Sequence, residues 1–162
     1  MALSGTVNTD SYQGRYVQLT WTGDQSIADN TTTISWTLKG AGDATSSWYT
    51  SGPFKLTIDG TVVYESTTRI KLYEGTTIKT GTTTVSHDSK GKKKVSMTVE
   101  AAIYAGSYNK SGTKTFTLDT IPRKATLNTA TNFNDEENPT ITYDNPAGSN
   151  ASELQACIAK TD

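Results

Sequence analysis

Apolar and polar residues alternate with a period of two along most of the chain, the spacing of a strand with one face buried. In RYVQLTWTG, Val17, Leu19 and Trp21 fall on one face, and Gln18, Thr20 and Thr22 on the other. In NTTTISWTLKG, Thr32, Ile34, Trp36 and Leu38 alternate with Thr33, Ser35, Thr37 and Lys39. Phe54, Leu56 and Ile58 alternate up to Asp59-Gly60. That dipeptide suits a type I′ turn, whose two central residues need positive φ, so a hairpin into TVVYES is predicted. Thr68-Ile70-Leu72 and Thr76 to Val85 supply further short strands.

After Gly91 the alternation resumes, with Val95, Met97, Val99, Ala101 and Ile103 on one face and Lys92, Lys94, Ser96, Thr98 and Glu100 on the other. The preceding HDSKG holds turn-forming Asp, Ser and Gly, and the stretch reads as the tip of a β-hairpin with its lysines on the wet side. His87, the single histidine, is expected to be a solvent-facing or hydrogen-bonded turn residue. It has no neighbouring histidine or cysteine with which to bind a metal. Phe116 and Leu118 point inward in TKTFTLDTIPR, and Pro122, which lacks an N–H, ends the ladder.

About eight such runs fill the first ~120 residues, which predicts an all-β fold, an immunoglobulin-like antiparallel β-sandwich over residues 1–122. The cysteine pair of antibody domains is missing, so Trp21 or Trp36 must fill that part of the core. Residues 123–162 have a different texture, with short alternations at Leu127, at Ile141 and Tyr143, and at Leu154, Ala156 and Ile158. They are expected to be a linker and the start of a second β-sandwich domain, cut short.

Composition sharpens this picture. Threonine occurs 31 times in 162 residues, which suits a pleated, half-wet surface and disfavours helix. A net charge of −1 provides no global field toward nucleic acid or an anionic membrane, so neither is an expected partner. The lone Cys157 excludes an internal disulfide and any multi-cysteine zinc site. No apolar run approaches the ~20 residues that span a bilayer, and MALSGTVNTD has no basic segment followed by an apolar one, so no signal peptide is expected.

Three stretches, QSIADNTTTISW, SHDSKGKKKV and TLDTIPR, succeed one another in a chain that also carries YVQLTWTG and the Gly-Pro-Phe strand with its Asp-Gly turn. In order and spacing they resemble the N-terminal domain of a family of siphovirus minor structural proteins, found in tailed phages of Gram-positive bacteria and in prophages, whose function is not defined. The resemblance covers roughly Ser4 to Arg123. It departs at Ser89-Lys90-Gly91, where the family shows Asp-Gly before the lysine. The resemblance implies a non-enzymatic virion component of the tail or tail tip, acting as a spacer or host-surface adhesion domain. Other tail proteins would be its partners, with host polysaccharide and a homo-oligomer as further possibilities. Made in the bacterial cytoplasm, such a protein leaves the cell in particles released by lysis.

The residues offer little for catalysis. Hydrolysis by a serine needs a base and an acid converging on it, and His87 is the only base of that type. A glycosidase needs two carboxylates about 5–10 Å apart. Asp135, Glu136, Glu137 and Asp144 are the candidates, and FNDEENP could also bind calcium, although it lacks the glycine and spaced acids of a calcium loop. A solvated acidic turn is the expectation, with no catalytic residue, no metal and no cofactor. For binding, Trp48 and Tyr49 in TSSWYTSGP and Tyr104 and Tyr108 in AIYAGSYNKSG place aromatic rings in loops, where they could stack on a sugar. The alternative function is therefore a carbohydrate-binding module for a bacterial surface glycan.

Overall fold

The computed structural model describes residues 2–42, 48–49, 52–103, 108–123, 126–127 and 143–144. In chain order the strands are β1 (Ser4–Asn8), β2 (Arg15–Ser26), β3 (Thr31–Gly42), β4 (Trp48–Tyr49), β5 (Phe54–Ile58), β6 (Thr61–Ser66), β7 (Lys71–Leu72), β8 (Thr77–Ser86), β9 (Lys94–Ala101), β10 (Lys110–Thr117), β11 (Thr126–Leu127) and β12 (Tyr143–Asp144). Two antiparallel sheets carry the fold, ordered β1-β2-β3-β8 and β10-β9-β5-β6. The short strands β4 and β7 pair with each other, as do β11 and β12. The protein is all-β, as the alternation predicts.

The inward faces are those read from the period of two. Val17, Leu19, Ile34, Leu38, Leu56, Ile58, Val95, Met97 and Val99 are all buried and belong to one core cluster with Trp21, Trp36, Phe54, Phe116 and Leu118. Each fully buried aliphatic side chain contributes about 1.5–3 kcal/mol over its exposed state, so this cluster is the main source of stability. Trp21 of the first sheet meets Phe116 of the second edge-on, with ring centroids 5.0 Å apart.

One row across the first sheet explains two glycines within strands. Gly5 pairs with Trp21, Trp21 with Trp36, and Trp36 with Gly81. The indoles lie over the glycines: a Cβ on Gly5 would stand 2.8 Å from Trp21 Nε1, and one on Gly81 would collide with the Trp36 ring. Glycine in a strand interior marks such close approach.

The Asp59-Gly60 turn forms as expected, with φ of 52° and 80° and Ile58 paired with Thr61. Other local readings change. The stretch from His87 to Lys93 is not a hairpin tip, because β8 lies in the first sheet and β9 in the second; the segment crosses between sheets. Alternation assigns a strand its inward face but not its partner, and β8 finds β3 instead of β9. Thr68 to Ile70 do not form a strand, leaving only β7 there, whereas Trp48 and Tyr49, expected in a loop, pair as β4 with β7. The unforeseen β1 has Val7 as its single large apolar residue.

In the ABED/CFG wiring of immunoglobulin domains the third strand crosses to the opposite sheet. Here β3 instead remains beside β2, joined by the turn at residues 27–30. On one side the sandwich is stitched shut, since the Ala2 amide donates to Thr117 O at 3.0 Å and the Asp10 amide to Ser111 O at 2.9 Å. The register places residues 27–30, 59–60, 87–93 and 118–123 at one end, which we term the exit end. The ends of β1, β3, β6 and β9 and the starts of β2, β5, β8 and β10 lie at the opposite, distal end.

Candidate functional site

At the exit end the stretches QSIADNTTTISW, SHDSKGKKKV and TLDTIPR come together. His87 is buried, with Nδ1 2.8 Å from Gly91 O and Nε2 2.7 Å from Thr32 Oγ1. A carbonyl only accepts, so Nδ1 donates to Gly91 O, while Nε2 and the Thr32 hydroxyl share the second bond. Asn30 donates from Nδ2 to the carbonyls of His87 and Asp88, and the His87 amide donates to Asn30 O at 2.9 Å. Asp88 closes the turn by accepting the amides of Lys90 and Lys92 at Oδ1.

The exit segment is held by the same cluster. The amide of Leu118 donates to Lys93 O and that of Ile121 to Gly91 O. Gln25 Nε2 donates to Asp119 O at 2.8 Å and Arg123 Nη1 to Ile27 O at 3.0 Å. Gly91 has φ of 71°, and a Cβ there would collide with Ile121 O. His87 therefore has both ring nitrogens engaged inside the protein, in an arrangement that positions backbone and offers no free base to a substrate. The lysines fall on the wet side as expected; Lys93 pairs with Asp59 at 2.6 Å, a surface contact of small energetic weight.

Of the four aromatic residues expected to bind, Tyr108 is the one whose side chain is described, and it is exposed at the distal end. Its hydroxyl donates to Glu65 Oε1 at 2.9 Å, and Lys55 Nζ lies 5.9 Å from its ring centroid. Lys55 also pairs with Glu100 at 3.3 Å. The phenol is pushed up to about 12, first by loss of surrounding water, then by its hydrogen bond to Glu65 and the negative charges of Glu65 and Glu100. At neutral pH it is a fixed donor. Trp48 and Tyr49 belong to β4 on the β3–β5 connection, also at the distal end, but their side chains, like Tyr104, lie outside the described residues. Tyr12 and Tyr73, which the sequence pattern does not single out, are exposed there too.

A second surface is not evident from the sequence. The outward positions of the first sheet form two rows of hydroxyls, Ser4–Thr22–Ser35–Thr82 and Thr6–Thr20–Thr37–Thr80. Six of these residues line a shallow, open concavity of about 390 Å³, with Trp21, Trp36 and Gly81 between them as its floor. Its signal is the run of threonine and serine within the polar half of each alternation, which reads strand by strand only as a wet face.

Among the described residues no three His, Cys, Asp or Glu side chains gather as a metal site, and no helix is long and apolar enough to cross a membrane. Asp135, Glu136, Glu137 and the calcium reading of FNDEENP lie outside the described residues; of Asp144 only its place in β12 is described. Compared with protein-family models, curated proteins and solved structures, the chain matches none of them.

Proposed function

We propose that the chain is a non-enzymatic structural component of a tailed-phage virion, placed in the tail or tail tip, whose sandwich acts as a spacer or host-surface adhesion domain. The observation that carries this reading is the meeting, around the loop from His87 to Lys93, of the three stretches that resemble the phage family. Each contributes hydrogen bonds that fix the exit segment: Gln25 to Asp119 O, the Leu118 and Ile121 amides to Lys93 O and Gly91 O, and Arg123 to Ile27 O. Residues spent on fixing where a chain leaves a domain suit a module that must set the direction of the next domain. On this reading the partners are other tail proteins.

The alternative, a carbohydrate-binding module, draws support from the distal end, where Tyr12, Tyr73 and Tyr108 are exposed opposite the exit. The two readings are compatible, because a tail module that points its distal end outward is an adhesin. Immunogold labelling of purified particles from the encoding phage, with mass spectrometry of their proteins, tests the virion assignment. Gold at the tail and peptides of this chain are expected; particles free of the chain would overturn it.

A further inference from the structure

We propose that the concave hydroxyl face of the first sheet is a binding surface for a neutral polysaccharide. The inference rests on the adhesion reading above and deepens it, moving the contact from the loop aromatics to the sheet. The first argument is chemical. Eight serine and threonine side chains face outward in two rows across four strands, at a spacing of about 4.8 Å between strands and about 7 Å along them. Each hydroxyl both donates and accepts, which matches a ligand whose own polar groups do both, as sugar hydroxyls do. The threonine methyls between them offer apolar contact to the C–H face of a sugar ring.

Charge supplies the second argument. The two rows carry no ionisable group; Asp24 and Lys39 flank them at opposite ends of the face, in the adjoining register positions. An anionic polymer would meet no cation along the concavity, and a peptide would find few partners for its charged side chains. A neutral glycan loses nothing there. The third argument is entropic, because short and mostly β-branched side chains are already confined to few rotamers and lose little on binding. Such a surface binds weakly per copy, on the order of 1 mM, and gains strength by repetition on a particle.

The test is a titration of the ¹⁵N-labelled full chain with neutral hexasaccharides of glucose, galactose and N-acetylglucosamine, and with anionic polyglycerol phosphate. Saturating amide shifts centred on Thr20, Ser35, Thr37 and Thr82 with at least one neutral sugar, and none with the anionic polymer, are expected. Thr37→Lys and Thr82→Lys should weaken binding at least tenfold. Thr37→Val, which keeps shape and fold but removes one hydroxyl, should weaken it about threefold, while Ser111→Lys on the opposite sheet should leave it unchanged. Shifts confined to the distal loops, binding of the anionic polymer alone, or no shift with any neutral sugar would overturn the inference. Its failure is separable from that of the virion assignment, because labelling of particles does not depend on sugar binding.

Discussion

The amide of Ile121 donates to the carbonyl of Gly91 at 2.9 Å, so the segment leaving the sandwich is bound to the apex of the loop that crosses between its sheets. That contact requires the backbone of residue 91 to turn with φ of 71° and to lie against Ile121 with no side chain between. Gly91→Ala should cost about 1–3 kcal/mol from the left-handed conformation alone, with the collision added to it. Urea denaturation would show the lower midpoint; an unchanged midpoint would mean that the loop has another conformation.

His87→Ala removes the ring that bonds Thr32 Oγ1 and Gly91 O, although Gly91 O keeps the Ile121 amide and Thr32 Oγ1 keeps Gln25 Nε2 at 3.5 Å. Each lost hydrogen bond contributes about 0.5–1.5 kcal/mol, so a loss of about 1–3 kcal/mol is expected by chemical denaturation. If His87 acted instead as a base toward a substrate, its removal would leave stability untouched.

Gly81→Val tests the packing of Trp36 across the edge of the first sheet. The new side chain would occupy the space of the indole, whose Nε1 donates to Thr83 Oγ1 at 3.2 Å. Overpacking of this kind costs about 1–3 kcal/mol, and the displaced ring should also change the tryptophan fluorescence of the folded state. A variant as stable as the parent with the same emission would show that the ring lies elsewhere.

These residues also show how much of the fold is legible in the sequence. The inward faces of β2, β3, β5 and β9 can be read from alternation because each has one dry and one wet side. The Asp59-Gly60 turn is equally legible, because few residues accept its φ values. The crossing at His87 is not, since a loop between sheets and a hairpin loop use the same Asp, Ser and Gly. The burial of His87 is hidden as well: its partners Thr32 and Gly91 are 55 and 4 residues away, and only the fold makes the first a neighbour. The hydroxyl face is indistinguishable, strand by strand, from ordinary solvent-facing threonine, and emerges only when the register aligns its rows.

The raised Tyr108 phenol gives a pH dependence. Its folded value of about 12 exceeds the ordinary value of 10.0, so the stability it contributes is present below about pH 10 and is lost as pH rises from there through about 12. Glu65→Gln removes a negative charge and the carboxylate acceptor, and should lower the ionisation part of the way, since the loss of surrounding water and the Glu100 charge remain. Carbon-13 titration of labelled tyrosine reads this directly; an unchanged value in the variant would contradict the Glu65 contact.

The most direct measurement is amide hydrogen exchange at Leu118 and Ile121. A clamped exit predicts that both exchange as slowly as core amides such as that of Met97, through global unfolding. Exchange orders of magnitude faster, in the range of exposed loops, would contradict an exit segment fixed by the His87 loop.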